Sequence, residues 1–315
     1  MDIKLREIFK LLRAQFLVGI VFPLIVGTLT AFSISGSFHF LGFFLVMLMG
    51  LGLHLATDVY NDIYDTKQGA DTKGNVRRNS YSGGSGILLE KPYLMARMFL
   101  VARVSLLLSF LAMIGLFFVI DQTLWLYVSI IYFVSAFLSK YYAASPFKFG
   151  YRGIGEILIW FSFGPMAIML AGFSQNMMMQ ETFYAVMPTT GFSTLTILWI
   201  GQFIDLPVDK AAGKIGLVLR MGTKRASYGY LVIQSLLMLN ILMLVFFIFH
   251  PGWPLLLALI PFVILLPKIW TLIKKHHADP MQLVSVAKLN TVLYVLFSLF
   301  FITCAAALRI FSVER

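Results

Sequence analysis

Charged residues are scarce in this chain. Only 12% of its 315 residues are Asp, Glu, Lys or Arg, against about a quarter in a typical soluble domain. By contrast, 59% are hydrophobic, and the mean hydropathy is +0.86. A soluble globule of this size could not bury so much apolar surface. The 30 Phe and 13 Tyr also exclude a disordered chain, which is poor in aromatic residues. The composition therefore predicts an integral membrane protein.

The chain also contains almost no cysteine and almost no alternation of polar and apolar residues. The one cysteine, Cys304, lies in an apolar run, so no disulfide can form within the chain. The strands of a membrane barrel alternate apolar and polar residues over roughly ten positions, whereas the apolar runs here continue for the roughly 20 residues of a membrane-spanning helix. They predict an all-α bundle of nine transmembrane helices that forms a single domain over 1–315. The predicted spans are 14–34, 39–60, 94–119, 123–143, 154–173, 183–204, 227–249, 253–273 and 283–308.

The basic residues are distributed unevenly about these spans. The net charge is +11, and 23 of the 25 Lys and Arg residues fall in connections that lie on one side of the predicted bundle. Only Arg309 and Arg315 fall on the other side. Basic residues accumulate on the cytoplasmic side of membrane proteins, which explains the positive charge without a nucleic-acid partner. We therefore expect a multi-pass protein of the cell membrane, with its N-terminus in the cytoplasm and its C-terminus outside.

Two of the predicted cytoplasmic connections are acidic and resemble each other. Each has a polar Asn or Asp, three residues, an Asp, three more residues and a Gly. The two sets are Asn61–Asp65–Gly69 and Asp205–Asp209–Gly213. Residues four apart lie on one face of a helix, so each motif would direct two oxygen ligands toward the same point. Isolated acids at helix ends are usually helix caps or solvated side chains, but a repeated cluster in a chain with 14 acidic residues favours a site.

The chemistry of these motifs favours a magnesium-bridged phosphate. Oxygen ligands without neighbouring thiolates favour Mg²⁺ over zinc. Mg²⁺ in proteins usually combines one or two carboxylates with phosphate groups of a substrate. Basic residues are interleaved with the acids and would complement a diphosphate: Lys67, Lys73, Arg77, Arg78, Lys210, Lys214 and Arg220.

The two motifs carry a resemblance to a known family. Asn61-Asp-x-x-Asp65-x-x-x-Gly69-x-Asp71 resembles the first aspartate motif of the UbiA superfamily of membrane prenyltransferases, and Asp205-x-x-x-Asp209-x-x-x-Gly-Lys214 resembles the second. The spacing of the first motif, the Gly-rich segment 79–86 and the segment 146–156 are similar to those of the MenA-like branch, which prenylates dihydroxynaphthoate. Asp58 and Gln202 depart from the family pattern, which often has Asn at both positions, and Ile204 stands where the family often has Arg.

The resemblance implies a reaction, a cofactor and roles for particular residues. The reaction is the Mg²⁺-dependent transfer of an isoprenyl chain from an isoprenyl diphosphate to an aromatic acceptor, here dihydroxynaphthoate in menaquinone biosynthesis. The implied catalytic residues are Asn61, Asp65, Asp205 and Asp209. The implied metal ligands are these four together with Asp62 and Asp71. The implied diphosphate-binding residues are Lys67, Arg78, Lys140 and Lys214.

Acceptor binding is assigned to five further residues near the motifs: His54, Asp58, Tyr142, Arg152 and Glu156. The simpler interpretation of His54 is a packed histidine, and that of Arg152 and Glu156 is an i,i+4 ion pair. Two functional alternatives stay open. The same chemistry could act on hydroxybenzoate, haem, chlorophyllide or an archaeal glycerol-phosphate lipid. An ion-coupled transporter would instead place its acids near the middle of the bilayer.

Overall fold

The computed structural model describes residues 5–71 and 81–312, and within these ranges all regular secondary structure is helical. The α-helices in chain order are α1 (Leu5–Leu11), α2 (Val18–Ser35), α3 (Phe40–Gln68), α4 (Ile87–Glu90), α5 (Met95–Phe117), α6 (Trp125–Tyr141), α7 (Gly155–Phe161), α8 (Ala167–Ser174), α9 (Glu181–Ala211), α10 (Leu217–Met221), α11 (Thr223–Met243), α12 (Ile260–His276) and α13 (Pro280–Ser312). This architecture confirms the predicted all-α fold.

Nine helical segments of the described residues are long and apolar enough to cross a membrane. They match the predicted spans in number and order: Ala14–Ser35, Phe40–Gln68, Pro92–Phe117, Gln122–Tyr141, Gly155–Ser174, Glu181–Ala211, Thr223–Ile248, Trp253–His276 and Pro280–Leu308. Their outward faces carry large exposed apolar side chains, among them Leu107, Phe247 and Val263. An apolar surface of this extent is suited to lipid rather than water, and the chain is a multi-pass membrane protein.

The two motif-bearing helices are longer than the sequence predicts. The second and sixth spans predicted from hydropathy end at 60 and 204. In the structure, α3 continues to Gln68 and α9 to Ala211. Hydropathy falls where the polar motifs begin, but the backbone hydrogen bonds of a helix continue through them. α3 ends at Gly69, whose φ of +79° is the left-handed conformation that commonly terminates a helix. Both motifs therefore lie on regular helix, as their i,i+4 spacing requires.

Two spans are irregular at prolines. The fifth consists of α7 and α8 joined by a π-helical turn, Ser162–Met166, that contains Pro165. The eighth begins as a 3₁₀-helix, Trp253–Leu259, and becomes α-helical only at α12, with Pro261 in its first turn. Proline removes a backbone donor and clashes with the preceding turn, and a bundle interior tolerates the resulting irregularity. Pro254, Pro261 and Pro267 in the sequence of the eighth span predict such an irregularity, which the structure confirms at its start.

The two largest apolar cores among the described residues share α2. One core lies among α2, α3, α5, α6 and α8, and the other among α2, α9, α11, α12 and α13. Leu24 contributes to the first core, while Phe22 packs against Phe297 of the second with ring centroids 5.6 Å apart. Gly27 brings α2 against α8, since a Cβ there would lie 2.6 Å from Cβ of Ala171. Small residues allow such close approach of membrane helices.

Candidate active site

A cavity of about 250 Å³ lies within the bundle, bounded by α2, α3, α6, α7, α8 and α9. One end is polar and is lined by Asp58, Asn61, Asp65, Asp205, Asp209 and Lys214. The other end is apolar and is lined by Ile20, Leu24, Leu53, Met166, Ala167 and Leu170. A polar end joined to an apolar chamber suits an amphiphilic ligand with a charged head and a hydrocarbon tail.

The first motif faces this cavity through Asn61 and Asp65, one turn apart on α3. Tyr151, in the connection before α7, donates a hydrogen bond from its hydroxyl to Oδ1 of Asp65 at 2.6 Å. Burial, together with the adjacent Asp65 carboxylate, raises the pKa of Tyr151, so the phenol stays protonated as the donor. Asn61 Oδ1 is buried and has no hydrogen-bond partner among the described residues. The motif therefore presents one oriented carboxylate and one uncommitted oxygen.

Lys214 joins the second motif to the first. Its Nζ lies 3.3 Å from Oδ2 of Asp65 and 3.6 Å from Oδ1 of Asp209. Burial lowers the pKa of Lys214, but Asp209 and Asp65 outweigh it and hold that pKa well above its usual range. Gly213, with φ +72°, allows the chain to turn at the end of α9 and place this lysine between the carboxylates. The two motifs, 144 residues apart, meet across one cavity.

The Gly-rich segment binds two acids of the first motif through its backbone. Gly84 donates its N–H to Oδ1 of Asp71 at 3.0 Å. Ser85 donates its N–H and its hydroxyl to the two carboxylate oxygens of Asp62, at 2.6 and 2.7 Å. Burial, followed by the neighbouring Asp65 and Asp62, raises the pKa of Asp71 to about 7. These carboxylates therefore anchor a loop, and neither is among the residues that line the cavity.

The same segment also reaches the second motif. Gly83 donates its N–H to Oδ2 of Asp205 at 2.9 Å. A Cβ on Gly84 would lie 1.8 Å from Oδ2 of Asp71 and 2.6 Å from Oδ1 of Asp62, so only glycine permits this approach. Three successive backbone N–H groups thus link the ends of α3 and α9. Sequence patterns mark the glycines but not which carboxylate each would contact.

Arg13 is a site residue that the sequence analysis did not select. It precedes α2 in the left-handed conformation, with φ 49° and ψ 37°, which costs about 1–2 kcal/mol for a residue with a Cβ. It lines the cavity, and its Nε is buried without a hydrogen-bond partner among the described residues. Burial lowers the pKa of Arg13, but four carboxylates, Asp58 foremost, raise it overall. The sequence feature that could have identified Arg13 is its position at the start of an apolar span.

Two of the other predicted diphosphate-binding residues, Lys67 and Lys140, lie outside the cavity. Lys67 is exposed and rests over the ring of Phe99, with Nζ 4.7 Å from the centroid. Lys140 lies over the ring of Tyr141 at 5.1 Å. Neither is among the cavity-lining residues. Arg78 lies outside the described residues. Of the three that the structure describes, Lys214 alone lines the cavity.

Three of the predicted acceptor-binding residues, on α3 and at the end of α6, line the cavity. His54 and Asp58 lie one turn apart on α3, with Nε2 3.5 Å from Oδ2. Tyr142 is half-buried at the end of α6, and its ring stands close to Gly150 and Gly155, where an added Cβ would lie 2.7 and 2.8 Å from ring or hydroxyl atoms. Burial is the main cause of the raised pKa of Tyr142, so its hydroxyl stays neutral.

Glu156 and Arg152 do not form the i,i+4 pair that sequence spacing allowed. Glu156 is buried and lines the cavity, and its Oε1 accepts hydrogen bonds from Nε2 of Gln202 at 2.7 Å and from the N–H of Leu217 at 2.5 Å. Its Oε2 is buried without a hydrogen-bond partner in the described part of the chain. Arg152 is exposed and donates to the carbonyl of Pro146 at 2.9 Å. The structure brings Glu156 to the site and leaves Arg152 outside it.

Two known proteins with related sequences are named as naphthoquinone or naphthoate prenyl- or phytyltransferases. The chain is 28% identical over 207 residues to a 2-carboxy-1,4-naphthoquinone phytyltransferase of Synechocystis, covering 66% of this chain and 63% of that protein. It is 29% identical over 189 residues to a 1,4-dihydroxy-2-naphthoate octaprenyltransferase of Mycobacterium tuberculosis, covering 59% of this chain and 60% of that protein. The chain thus spans less than two thirds of the length of either relative.

The fold has solved counterparts as well. A UbiA homologue from Archaeoglobus fulgidus, bound to DMAPP and Mg²⁺, superimposes with a TM-score of 0.55 at 16% identity, over 95% of this chain and 98% of that one. The sequence profile of the UbiA prenyltransferase family matches residues 20–292, which include α3, α9 and both aspartate motifs. The chain belongs to the UbiA prenyltransferase family.

Proposed function

We propose that this protein transfers an isoprenyl group from an isoprenyl diphosphate to a naphthoate-type aromatic acceptor. The observation that carries the proposal is the meeting of the two aspartate motifs at the polar end of one cavity whose other end is apolar. The polar end suits the diphosphate, and the apolar chamber suits the hydrocarbon chain. Both substrates and product are partly lipid-like, which accounts for a site inside a membrane bundle.

The donor oxygens present fit Mg²⁺ bound together with a diphosphate. Asn61 Oδ1 has no hydrogen-bond partner among the described residues, and the Asp65 and Asp209 carboxylates lie on either side of Lys214 Nζ. In the described ranges no three His, Cys, Asp or Glu side chains converge closely enough to hold a metal ion by themselves. Mg²⁺ typically takes one or two carboxylates and completes its shell with phosphate and water, so Asn61, Asp65 and Asp209 are the proposed ligands, with Asp205 beside them.

The carboxylates of the predicted metal set would then have two different tasks. Asp62 and Asp71 accept backbone hydrogen bonds from Ser85 and Gly84, so we assign them to holding the Gly-rich segment. Asp205 lines the cavity and also accepts from Gly83, so it combines both tasks. The related structure that contains DMAPP and Mg²⁺ supports a metal-bridged diphosphate for this chain.

In the proposed reaction, negative charge develops on the leaving diphosphate. The C1–O bond of the donor breaks, its electron pair leaves with the diphosphate, and the acceptor ring carbon forms a new bond to C1. Bound Mg²⁺ would supply Lewis-acid stabilisation of the leaving diphosphate. Lys214 and Arg13 place two further positive charges at this end of the cavity, where fixed charges in a low-dielectric site stabilise the developing anion. Tyr151 holds the Asp65 carboxylate in position through its hydrogen bond.

The acceptor class is supported by the relatives. The two described above are named for naphthoate-type acceptors but differ in the transferred chain, phytyl in one and octaprenyl in the other. Both names contain a carboxylated naphthalene ring, and the second names dihydroxynaphthoate itself, which favours dihydroxynaphthoate as the acceptor. The acids lie at one end of the spanning helices, which is not the midplane arrangement that an ion-coupled transporter would use.

The direct test is transfer activity in isolated membranes. We expect radiolabel from an isoprenyl diphosphate to appear on dihydroxynaphthoate in the presence of Mg²⁺, to be lost in EDTA and to return when Mg²⁺ is restored. Hydroxybenzoate, haem, chlorophyllide and a glycerol-phosphate lipid are the competing acceptors in parallel reactions. Full transfer in EDTA would refute the metal assignment, and label on one of the other acceptors would replace the naphthoate assignment.

A further inference from the structure

The cavity contains an acid–histidine pair that the diphosphate site does not use. His54 and Asp58 both line the cavity, with His54 Nε2 3.5 Å from Asp58 Oδ2. Their side chains are only 10% and 12% exposed. His54 Nδ1 is buried, and within residues 5–71 and 81–312 it has no hydrogen-bond partner. A buried imidazole with one nitrogen toward a carboxylate and the other uncommitted needs an explanation, because unpaired buried polar atoms are costly.

The position of His54 along α3 separates its imidazole from the proposed metal ligands. His54 precedes Asn61 by seven residues, which is about 10 Å along an α-helix. The polar end of the cavity includes Asp58, Asn61 and Asp65, while Leu53 and Ile20 belong to the apolar chamber. The pair therefore spans the boundary between the two ends, with His54 on the side of the apolar chamber, where the reacting carbon of the donor would meet the acceptor.

The walls around His54 hold its ring in place. Phe163, from the π-helical turn between α7 and α8, packs against it edge-on, with ring centroids 5.1 Å apart and an interplanar angle of 68°. Gly19 of α2 faces the imidazole, since a Cβ there would lie 3.4 Å from Cε1 of His54. The ring is thus fixed by packing on two sides and by Asp58 on a third. A packing role alone would not require the carboxylate, because an apolar ring would fill the same space.

We propose that His54 is the general base that removes the hydroxyl proton of the aromatic acceptor, and that Asp58 orients it. This inference rests on the proposed function. Neutral His54 would carry its proton on Nε2, directed at Asp58, which leaves the lone pair of Nδ1 free to accept a proton. The 3.5 Å separation is longer than a formed hydrogen bond, and such contacts commonly shorten when substrate binds. A base oriented by a carboxylate is a recurrent arrangement in catalysis.

Atoms and charge are conserved when His54 deprotonates the acceptor and the isoprenyl group is transferred. The acceptor O–H bond breaks, the proton passes to Nδ1, and the electron pair enters the ring. The ring carbon bonds to C1 of the donor, and the C1–O pair leaves with the diphosphate. The group displaced from that carbon departs as carbon dioxide, or as a proton that the released diphosphate accepts. Its bonding pair restores the aromatic ring, and the ring oxygen recovers its proton from His54. Asp58 stabilises the imidazolium in the interval.

The test separates donor cleavage from acceptor activation. His54→Gln and Asp58→Asn are compared with wild type in transfer to dihydroxynaphthoate and in scrambling of bridging ¹⁸O within the donor diphosphate, which reports C1–O cleavage without acceptor. We expect transfer to fall about 100-fold or more in His54→Gln and at least about tenfold in Asp58→Asn. Isotope scrambling should stay within about threefold in both, which also shows that the variants fold. His276→Gln, at the end of α12, and Asp121→Asn, outside the spanning helices, are the matched controls.

An acceptor whose hydroxyl groups are methylated has no hydroxyl proton for a base to remove. If His54 served only to pack against its neighbours, its substitution would lower transfer to this acceptor and to the free hydroxyl form by the same factor. The ratio of wild-type to His54→Gln transfer should fall from about 100 with the free hydroxyl to about one with the methyl ether. The proposal is overturned if His54→Gln transfers within threefold of wild type, if the ratio is the same for both acceptors, or if isotope scrambling falls in step with transfer. Failure of the proposed function itself would be recognised separately, because wild type would then prenylate no aromatic acceptor.

Discussion

Asp65 and Asp209 occupy equivalent places in the two motifs and lie on either side of one lysine. If both hold Mg²⁺ on a shared diphosphate, neither motif binds the donor productively alone. We expect Asp65→Asn and Asp209→Asn each to abolish most turnover, and the double variant to be little worse than either single one, because residues that act as a unit are non-additive. Turnover of purified enzyme with saturating Mg²⁺ is the measurement.

The control for this pair is Lys288→Gln, since Lys288 lies in α13 outside both motifs. Its turnover should stay within a few-fold of wild type. Near-normal turnover of Asp209→Asn would contradict the two-motif site and would leave the second motif as a loop anchor only.

A substitution at Arg13 tests whether a positive charge outside both motifs contributes to the site. Its buried guanidinium faces the carboxylates from the start of α2, where the donor diphosphate would add further negative charge. We expect Arg13→Gln to lower kcat/KM for the donor about 100-fold, in the range of losing one donor to a developing anion. Arg6→Gln, at an exposed position of α1, is the matched control. Equal kinetics for the two variants would refute the role of Arg13.

Among the structural elements, the Gly-rich segment is the one that ties the two motif helices together. Its backbone N–H groups bind Asp62, Asp71 and Asp205. Gly84→Ala would place a methyl group 1.8 Å from Asp71 Oδ2, so the segment must move and the carboxylates lose their donors. We expect a loss of most activity and a lower thermal midpoint, since buried carboxylates without partners cost about 1–3 kcal/mol each or more.

Gly115→Ala is the comparison for that prediction. A Cβ at Gly115 would meet only the end of the Leu45 side chain, at 3.1 Å, and a flexible side chain can adjust. Activity within about threefold of wild type is expected there, measured in the same membranes. If Gly84→Ala behaved in the same way, the segment would not position the acids.

The orientation of the whole molecule is a prediction from charge alone. The basic residues lie on the side where α3 and α9 end in the acidic motifs, so that side, with the active site, should be cytoplasmic. A cysteine at Gly74, a position outside the described residues, should react with a membrane-impermeant thiol reagent in inverted vesicles and not in intact cells. A cysteine at Ser37, in the exposed connection between α2 and α3, should show the reverse pattern. The native Cys304 is buried and adds little background.

Several features of this protein could be predicted from the sequence because they depend on local composition and periodicity. Apolar runs of bilayer length predict the nine spans, whose number and order the structure confirms. The i,i+4 spacing of Asn61–Asp65 and Asp205–Asp209 predicts that each pair shares a helix face, and the structure brings both pairs to one cavity. These inferences need only the geometry of one helix at a time.

The division of labour among the polar residues depended on the tertiary structure. Asp62 and Asp65 are three residues apart, yet one binds the backbone of Ser85 and the other binds Tyr151 and Lys214. Lys67 lies against an aromatic surface while Lys214 enters the site, and Arg13 reaches the cavity from the connection before α2. The physical reason is that burial and pairing are set by neighbours distant in sequence: a carboxylate or a cation has no assigned partner until the helices pack.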